Sequence, residues 1–238
     1  MKINYSDEGR GAPVILIHAW GETNESMAVL GQYLVDAGYR VVNIDLPGFG
    51  LSEDPIKPLE MNDYIEIIVD LVHQLQFTRP VLIGHAFGAK LAMFCVAKYP
   101  KRFARLILIN PVGVYIKKGR SKRVFDMIRS FGEVLFWIPP FLLIRPLVEW
   151  IYYQLFVNRA KYERGKVVQQ SYQRVATEFI NQYLYRIKIP TLTICGEYDQ
   201  SICPNVESAR HETIAGGGSN LPVTHPQTIA SLLFNFLD

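Results

Sequence analysis

Val81-Leu82-Ile83-Gly84-His85-Ala86-Phe87-Gly88-Ala89-Lys90 is the stretch whose reading decides the fold. Val81 to Ile83 is an apolar run stopped by glycine, the end of a buried strand, and Leu91, Ala92, Phe94, Cys95 and Ala97 then recur at helical spacing. The chain therefore runs strand, sharp turn, helix. Gly84 and Gly88 flank the turn where a G-x-S-x-G nucleophile elbow needs residues without side chains, because strand and helix close tightly around a strained central residue. That central residue is Ala86, so a methyl group stands where a nucleophile is expected.

Working outward, Val14-Ile15-Leu16-Ile17, Val41-Val42-Asn43-Ile44, Leu106-Ile107-Leu108-Ile109 and Thr191-Leu192-Thr193-Ile194-Cys195 are continuous apolar runs of the kind buried on both faces of a parallel sheet. Ile3 to Tyr5 is expected as an edge strand. Helical patterns over Ser26 to Ala37 and from Tyr64 to Leu75, the latter capped by Asn62 or Asp63, alternate with the strands. This rhythm predicts parallel βαβ units and an α/β fold, a mostly parallel, doubly wound sheet. Gly113 to Lys188 breaks the rhythm with an unusually apolar and aromatic helical pattern that holds no buried-strand run.

The elbow glycines, the loop Asp45-Leu46-Pro47-Gly48-Phe49-Gly50-Leu51-Ser52, the segment His18-Ala19-Trp20-Gly21 and the run Gly196-Glu197-Tyr198-Asp199 together resemble the α/β-hydrolase superfamily, in its branch of small serine esterases and related hydrolases. The resemblance covers the chain apart from its middle. It implies an α/β-hydrolase core over 1–112 and 189–238, with 113–188 as an inserted helical cap. It implies that the backbone N–H groups of Trp20 and Phe87 form an oxyanion hole, with His18 in the same loop and Ala19 where glycine is usual. It makes Asp199 the acid that orients the catalytic histidine and gives Asp45 a structural role. In the family, Ala86 would be serine, or aspartate in the dehalogenase and epoxide-hydrolase branches. Ser219, after Gly216-Gly217-Gly218, occupies the place of the histidine.

A serine hydrolase needs a hydroxyl, a base within hydrogen-bond reach and a group to hold that base; only the third is retained. Loss of either of the other two typically costs about a factor of a million in turnover. Three accounts follow. The chain is a serine hydrolase, acting on an ester or similar acyl bond, that has been disabled at two positions; or a natural binding or sensor protein on the same fold; or a lyase or isomerase without a covalent step. The first is preferred, because the elbow glycines and acid stand around two small residues. His225 is a poor replacement base, and His85, beside the elbow residue, is expected to point away from the oxyanion side. An apolar cap favours a small-molecule substrate with an apolar or aromatic acyl part.

Composition bounds the rest. At 238 residues, 49% hydrophobic and 20% charged, the chain suits one globular α/β domain, and a net charge of +3 gives no ground for nucleic-acid binding. The basic run Lys117 to Arg123 reads as a solvated turn, with contact to anionic lipid as the alternative. No His, Cys or acidic spacing suggests a metal, and no cofactor is expected. Cys95, Cys195 and Cys203 are expected as reduced thiols, which with the absence of an apolar leader at Met1 to Glu8 points to a cytoplasmic setting. Val134 to Ile144, interrupted by Pro139 and Pro140, is too short to cross a bilayer.

Overall fold

The computed structural model describes residues 1–114, 166–199, 204 and 206–237. It divides into two compact units, Met1–Tyr115 with Lys166–Asp238, and Ile116–Gly165. The second unit lies outside the described residues, and with it the basic run and most of the expected cap.

The first unit is built on a seven-stranded sheet: β1 (Tyr5–Gly9), β2 (Pro13–Ile17), β3 (Arg40–Ile44), β4 (Val81–His85), β5 (Leu106–Ile109), β6 (Thr191–Gly196) and β7 (Ala209–Ile214). Their spatial order is β1-β3-β2-β4-β5-β6-β7. Only β1 is antiparallel to its neighbour. The described helices are α1 (Ala28–Asp36), α2 (Met61–Gln74), α3 (Phe87–Lys98), α4 (Lys166–Ala176), the single turn α5 (Leu221–Thr224) and α6 (Pro226–Leu237).

The two-residue period of the strands sorts their side chains into two cores. Ile15, Ile17, Val42, Ile44, Leu82, Leu106 and Leu108 pack with residues of α2 and α3, including Ile68, Leu91 and Phe94. Val14, Leu16, Val41, Val81, Ile83, Ile107 and Ile109 pack on the opposite face with Leu30 and Leu34 of α1 and Ile229 and Leu233 of α6. Because both faces are covered, the inner strands read as unbroken apolar runs.

Four local expectations are corrected. The edge strand begins at Tyr5 instead of ending there, since its partner register runs from Tyr5 opposite Ile44 to Gly9 opposite Arg40. Glu60, not Asn62 or Asp63, is the N-cap of α2, and Asp63 returns a bond to the Glu60 N–H at 2.8 Å to complete a capping box. In the sequence Pro204 opens what reads as a short helix through Val206 and Ala209, but a turn closed by Ala209 N–H to Val206 C=O leads instead into β7. That strand is half exposed and carries polar residues, so it forms no apolar run. Cys95 is free and buried as expected, but Cys195 is disulfide-bonded, although the cysteine spacing held no sign of a pair. With that bond, the thiol argument for a cytoplasmic setting falls; Cys203 lies outside the described residues. No helix among the described residues is long and apolar enough to cross a membrane.

Candidate active site

The chain leaves β2 for β3 on one side and returns to place β4 on the other, so the strand order reverses between β2 and β4. In open α/β sheets the crevice at the carboxyl ends of two such strands is where ligands bind. Here β2 empties into His18-Ala19-Trp20 and β4 into Ala86.

At Ala86 the backbone has φ 47° and ψ −105°, a sparsely populated conformation that costs a residue with a side chain on the order of 1–3 kcal/mol. It persists because the surroundings leave no alternative. A Cβ on Gly84 would lie 2.3 Å from the Gly88 carbonyl carbon and oxygen, and one on Gly88 would lie 2.2 Å from the Ile17 oxygen. Strand β4, helix α3 and the end of β2 thus touch backbone to backbone. Ala86 N–H is tied to Ile109 C=O at 2.9 Å, and Ala86 C=O accepts from Lys90 N–H. From Val81 to Ala97 every residue is buried except Ala86, which is partly exposed. The turn therefore presents its central side chain outward.

On the β2 side, His18 is fully buried and its protonation is readable from its partners. Nδ1 lies 2.7 Å from the Ala19 carbonyl, which can only accept, and Nε2 receives the Leu46 N–H at 3.0 Å. The ring is neutral with its proton on Nδ1, and it fastens the loop after β2 to the loop after β3. Asp45 fixes that second loop, accepting from Asn24 N–H, Leu51 N–H and the Asn4 side-chain amide at 2.8 to 3.0 Å. The Trp20 ring meets Phe49, Tyr64 and Phe87 edge-on, with centroids 4.9 to 6.2 Å away. Such contacts favour a fixed ring orientation, and they lock this loop against the start of α3. Phe87 opens α3, so its N–H has no acceptor four residues earlier within the helix.

Across the crevice, Asn110 follows β5 in a left-handed conformation, φ 44°, that asparagine tolerates better than most residues. Its buried side chain donates to Gly218 C=O at 2.8 Å and accepts Gly196 N–H at 2.9 Å. Tyr198 N–H adds a bond to Gly217 C=O, and the Glu197 carboxylate accepts Gly216 N–H. The loop of Asp199 and the loop of Ser219 are thereby held together. Ser219 is exposed, and its carbonyl lies 2.8 Å from His85 Nε2, which brings residue 219 beside the end of β4. His225 instead bonds its own neighbour, Thr224 Oγ1, at 2.8 Å.

Trp20, Ala86, Phe87, Asp199 and Ser219 therefore all lie on loops or a helix start at the carboxyl ends of β2, β4 and β6 or just after β7. A cavity of about 310 Å³ bounded by Met61, Ile65, Phe94 and Tyr183 involves none of them. No cluster of metal-ligating residues occurs among the described residues. Sequence reasoning missed Asn110, although a lone asparagine closing an apolar strand is a recognisable signal. It also missed Glu22, which lies against His85 and had no motif to mark it.

Known proteins agree with this architecture. A family model described as alpha/beta hydrolase fold matches residues 12–209. A protein named putative non-heme chloroperoxidase, from Synechocystis sp., is 28% identical, the alignment covering 99% of this chain and 94% of the relative. A protein named putative 2-succinyl-6-hydroxy-2,4-cyclohexadiene-1-carboxylate synthase, from Bacillus subtilis, is 26% identical over 98% and 93% of the two chains. The crystal structure of a bromoperoxidase from Bacillus anthracis is similar with a TM-score of 0.77 at 23% identity, covering 99% of this chain and 95% of that one, a likeness of fold.

Proposed function

Because the chain belongs to the α/β-hydrolase fold family, we propose that it is a serine-hydrolase scaffold for an ester or similar acyl bond of an apolar or aromatic small molecule, silent in this form because Ala86 and Ser219 stand at the nucleophile and base positions. The observation that carries this reading is the strained, outward-facing turn at Ala86, kept by contacts that do not involve the side chain at 86. In the reaction the scaffold serves, a hydroxyl at 86 attacks the acyl carbon and passes its proton to a base at 219. Asp199 orients that base, and the N–H groups of Trp20 and Phe87 receive the developing oxyanion. Without the first two groups, what is left is a pocket that holds substrate and the donors that would polarise it.

The test is the double replacement Ala86→Ser with Ser219→His. It is expected to hydrolyse short or aromatic acyl esters at least about a thousandfold faster than the unaltered chain, and to be labelled at position 86 by an organophosphonate. A folded double variant that is inert and unlabelled ends the proposal. A second reading, lyase or isomerase chemistry without a covalent step, has in its favour the synthase named among the relatives. It requires turnover by the unaltered chain, lost in Asp199→Asn.

A further inference from the structure

The sheet has two rims, and they differ in what they present. β7 forms one of them, paired with β6 on its inner side only. Ile214 C=O accepts Glu197 N–H from the β6 side, so by the two-residue period Arg210 and Glu212 turn their main-chain groups the same way, while Ala209, His211 and Thr213 turn theirs outward. Ala209 N–H is used in the turn from Val206. The main-chain N–H and C=O of His211 and Thr213 have no partner among the described residues, and both residues are exposed. An open row of this kind is a template for another strand.

Its charges say which strand. Arg210 and Glu212 stand two apart on one face of β7, their side chains bridged at 2.7 Å. When a second copy of β7 is laid antiparallel on the open edge, only centres that fall on a residue keep outward-turned residues opposite one another. Centred on His211, the pairing sets His211 against its counterpart, Ala209 against Thr213, and Arg210 of each copy against Glu212 of the other. The charged pairs then fall at the non-hydrogen-bonded positions, where Cα atoms approach to about 4.5 Å. Centring on 210 or 212 instead sets Arg210 against Arg210 or Glu212 against Glu212, and like charges directly opposite are destabilising. The other rim opposes the same arrangement: β1 carries Asp7 and Glu8 side by side, so self-pairing centred on either, or between them, sets acid against acid.

We propose that β7 is the docking edge for a second copy of this chain, the two strands pairing antiparallel about a two-fold axis at His211 and joining two sheets into one. The interface is isologous, so each charged pair occurs twice. It uses none of the groups at 86, 199 or 219, and its fate is separate from that of the proposed chemistry.

Analytical ultracentrifugation of the full chain at low salt, from about 1 to 500 µM, tests it. A reversible monomer–dimer equilibrium is expected, and the amides of His211 and Thr213 should gain protection from exchange as concentration rises while those of β1 do not. Arg210→Glu and Glu212→Arg each set like charges opposite one another at two places, and each is expected to weaken the dimer at least about tenfold. Mixed in equal amounts, the two variants are expected to pair with each other about as tightly as the unaltered chain pairs with itself, because the glutamates of one then meet the arginines of the other. A chain that is monomeric across the range, single variants that dimerise as the parent does, a mixture that fails to pair, or larger species growing through both rims overturns the proposal. Should either variant fail to fold, protection at His211 and Thr213 in the unaltered chain decides alone.

Discussion

At the elbow, backbone is packed on backbone: the Gly84 and Gly88 positions leave less than 2.5 Å to neighbouring main-chain atoms for any added carbon. Across the crevice, the loops of Asp199 and Ser219 are held by discrete polar bonds through Asn110, Tyr198 and His85. The first wall has its shape from steric exclusion, which is insensitive to pH and salt and does not depend on the side chain at 86. The second has its shape from donors and acceptors that can be removed one at a time. A site built this way keeps the backbone geometry at residue 86 whatever side chain stands there, while the position of residue 219 remains adjustable.

The contrast can be broken most severely at the elbow. Gly84→Ala or Gly88→Ala drives a methyl group into main chain that cannot give, and is expected to cost at least about 3 kcal/mol in denaturant unfolding or to abolish folding. Either variant melting like the parent would mean that the backbone contacts are slack. On the opposite wall, Asn110→Ala leaves Gly196 N–H without its acceptor and Gly218 C=O without its donor, an expected loss of about 2–3 kcal/mol. Increased amide exchange should be confined to residues 196–199 and 216–220, and exchange spreading into α3 would show that the two walls are not separate.

Lys90 sharpens the comparison, because it is the one charged side chain within the buried run of the elbow helix. Its Nζ donates to Val175 C=O at the end of α4. Burial, partly offset by Glu178, lowers it from 10.5 to about 8. Between pH 8 and 10.5 the unfolded chain binds the proton that the folded chain has shed, so stability from this group rises with pH across that window, by at most about 3 kcal/mol. Lys90→Met is expected to be neutral or stabilising at pH 7 and to flatten the alkaline rise in melting temperature. A destabilised variant with the rise intact would show that the cation is needed where it lies. The smallest effect is expected at the rim of the sheet, where Asp7 pairs with the partly exposed Arg40. Asp7→Asn should change stability by less than about 1 kcal/mol, and by less still in high salt.

How much of this was legible in the sequence follows the same division. The inner strands from Val14 to Cys195, the elbow glycines and the outward position of residue 86 could be read because burial on two faces and backbone crowding impose residue types directly. β7 could not, since an exposed edge strand with the sequence Ala209-Arg210-His211-Glu212-Thr213-Ile214 obeys no such demand. The long-range contacts of Asn110, Glu22 and His85 were missed for a further reason. Their contacts are with partners 86, 63 and 134 positions away in the chain, and no local pattern encodes a contact across that distance. The ring of His85, expected to point away from the oxyanion side, lies against Glu22 of the loop after β2 and the Ser219 carbonyl of the loop after β7.

The turn at residue 86 also makes the protein a vacant socket. Since its contour is moulded by Ile17, Gly84 and Gly88, small side chains of any reactivity can be seated there in turn: a hydroxyl, a thiol, a carboxylate. Each would be displayed at one fixed point on the same rigid backbone, so differences in outcome would report on the inserted atom alone.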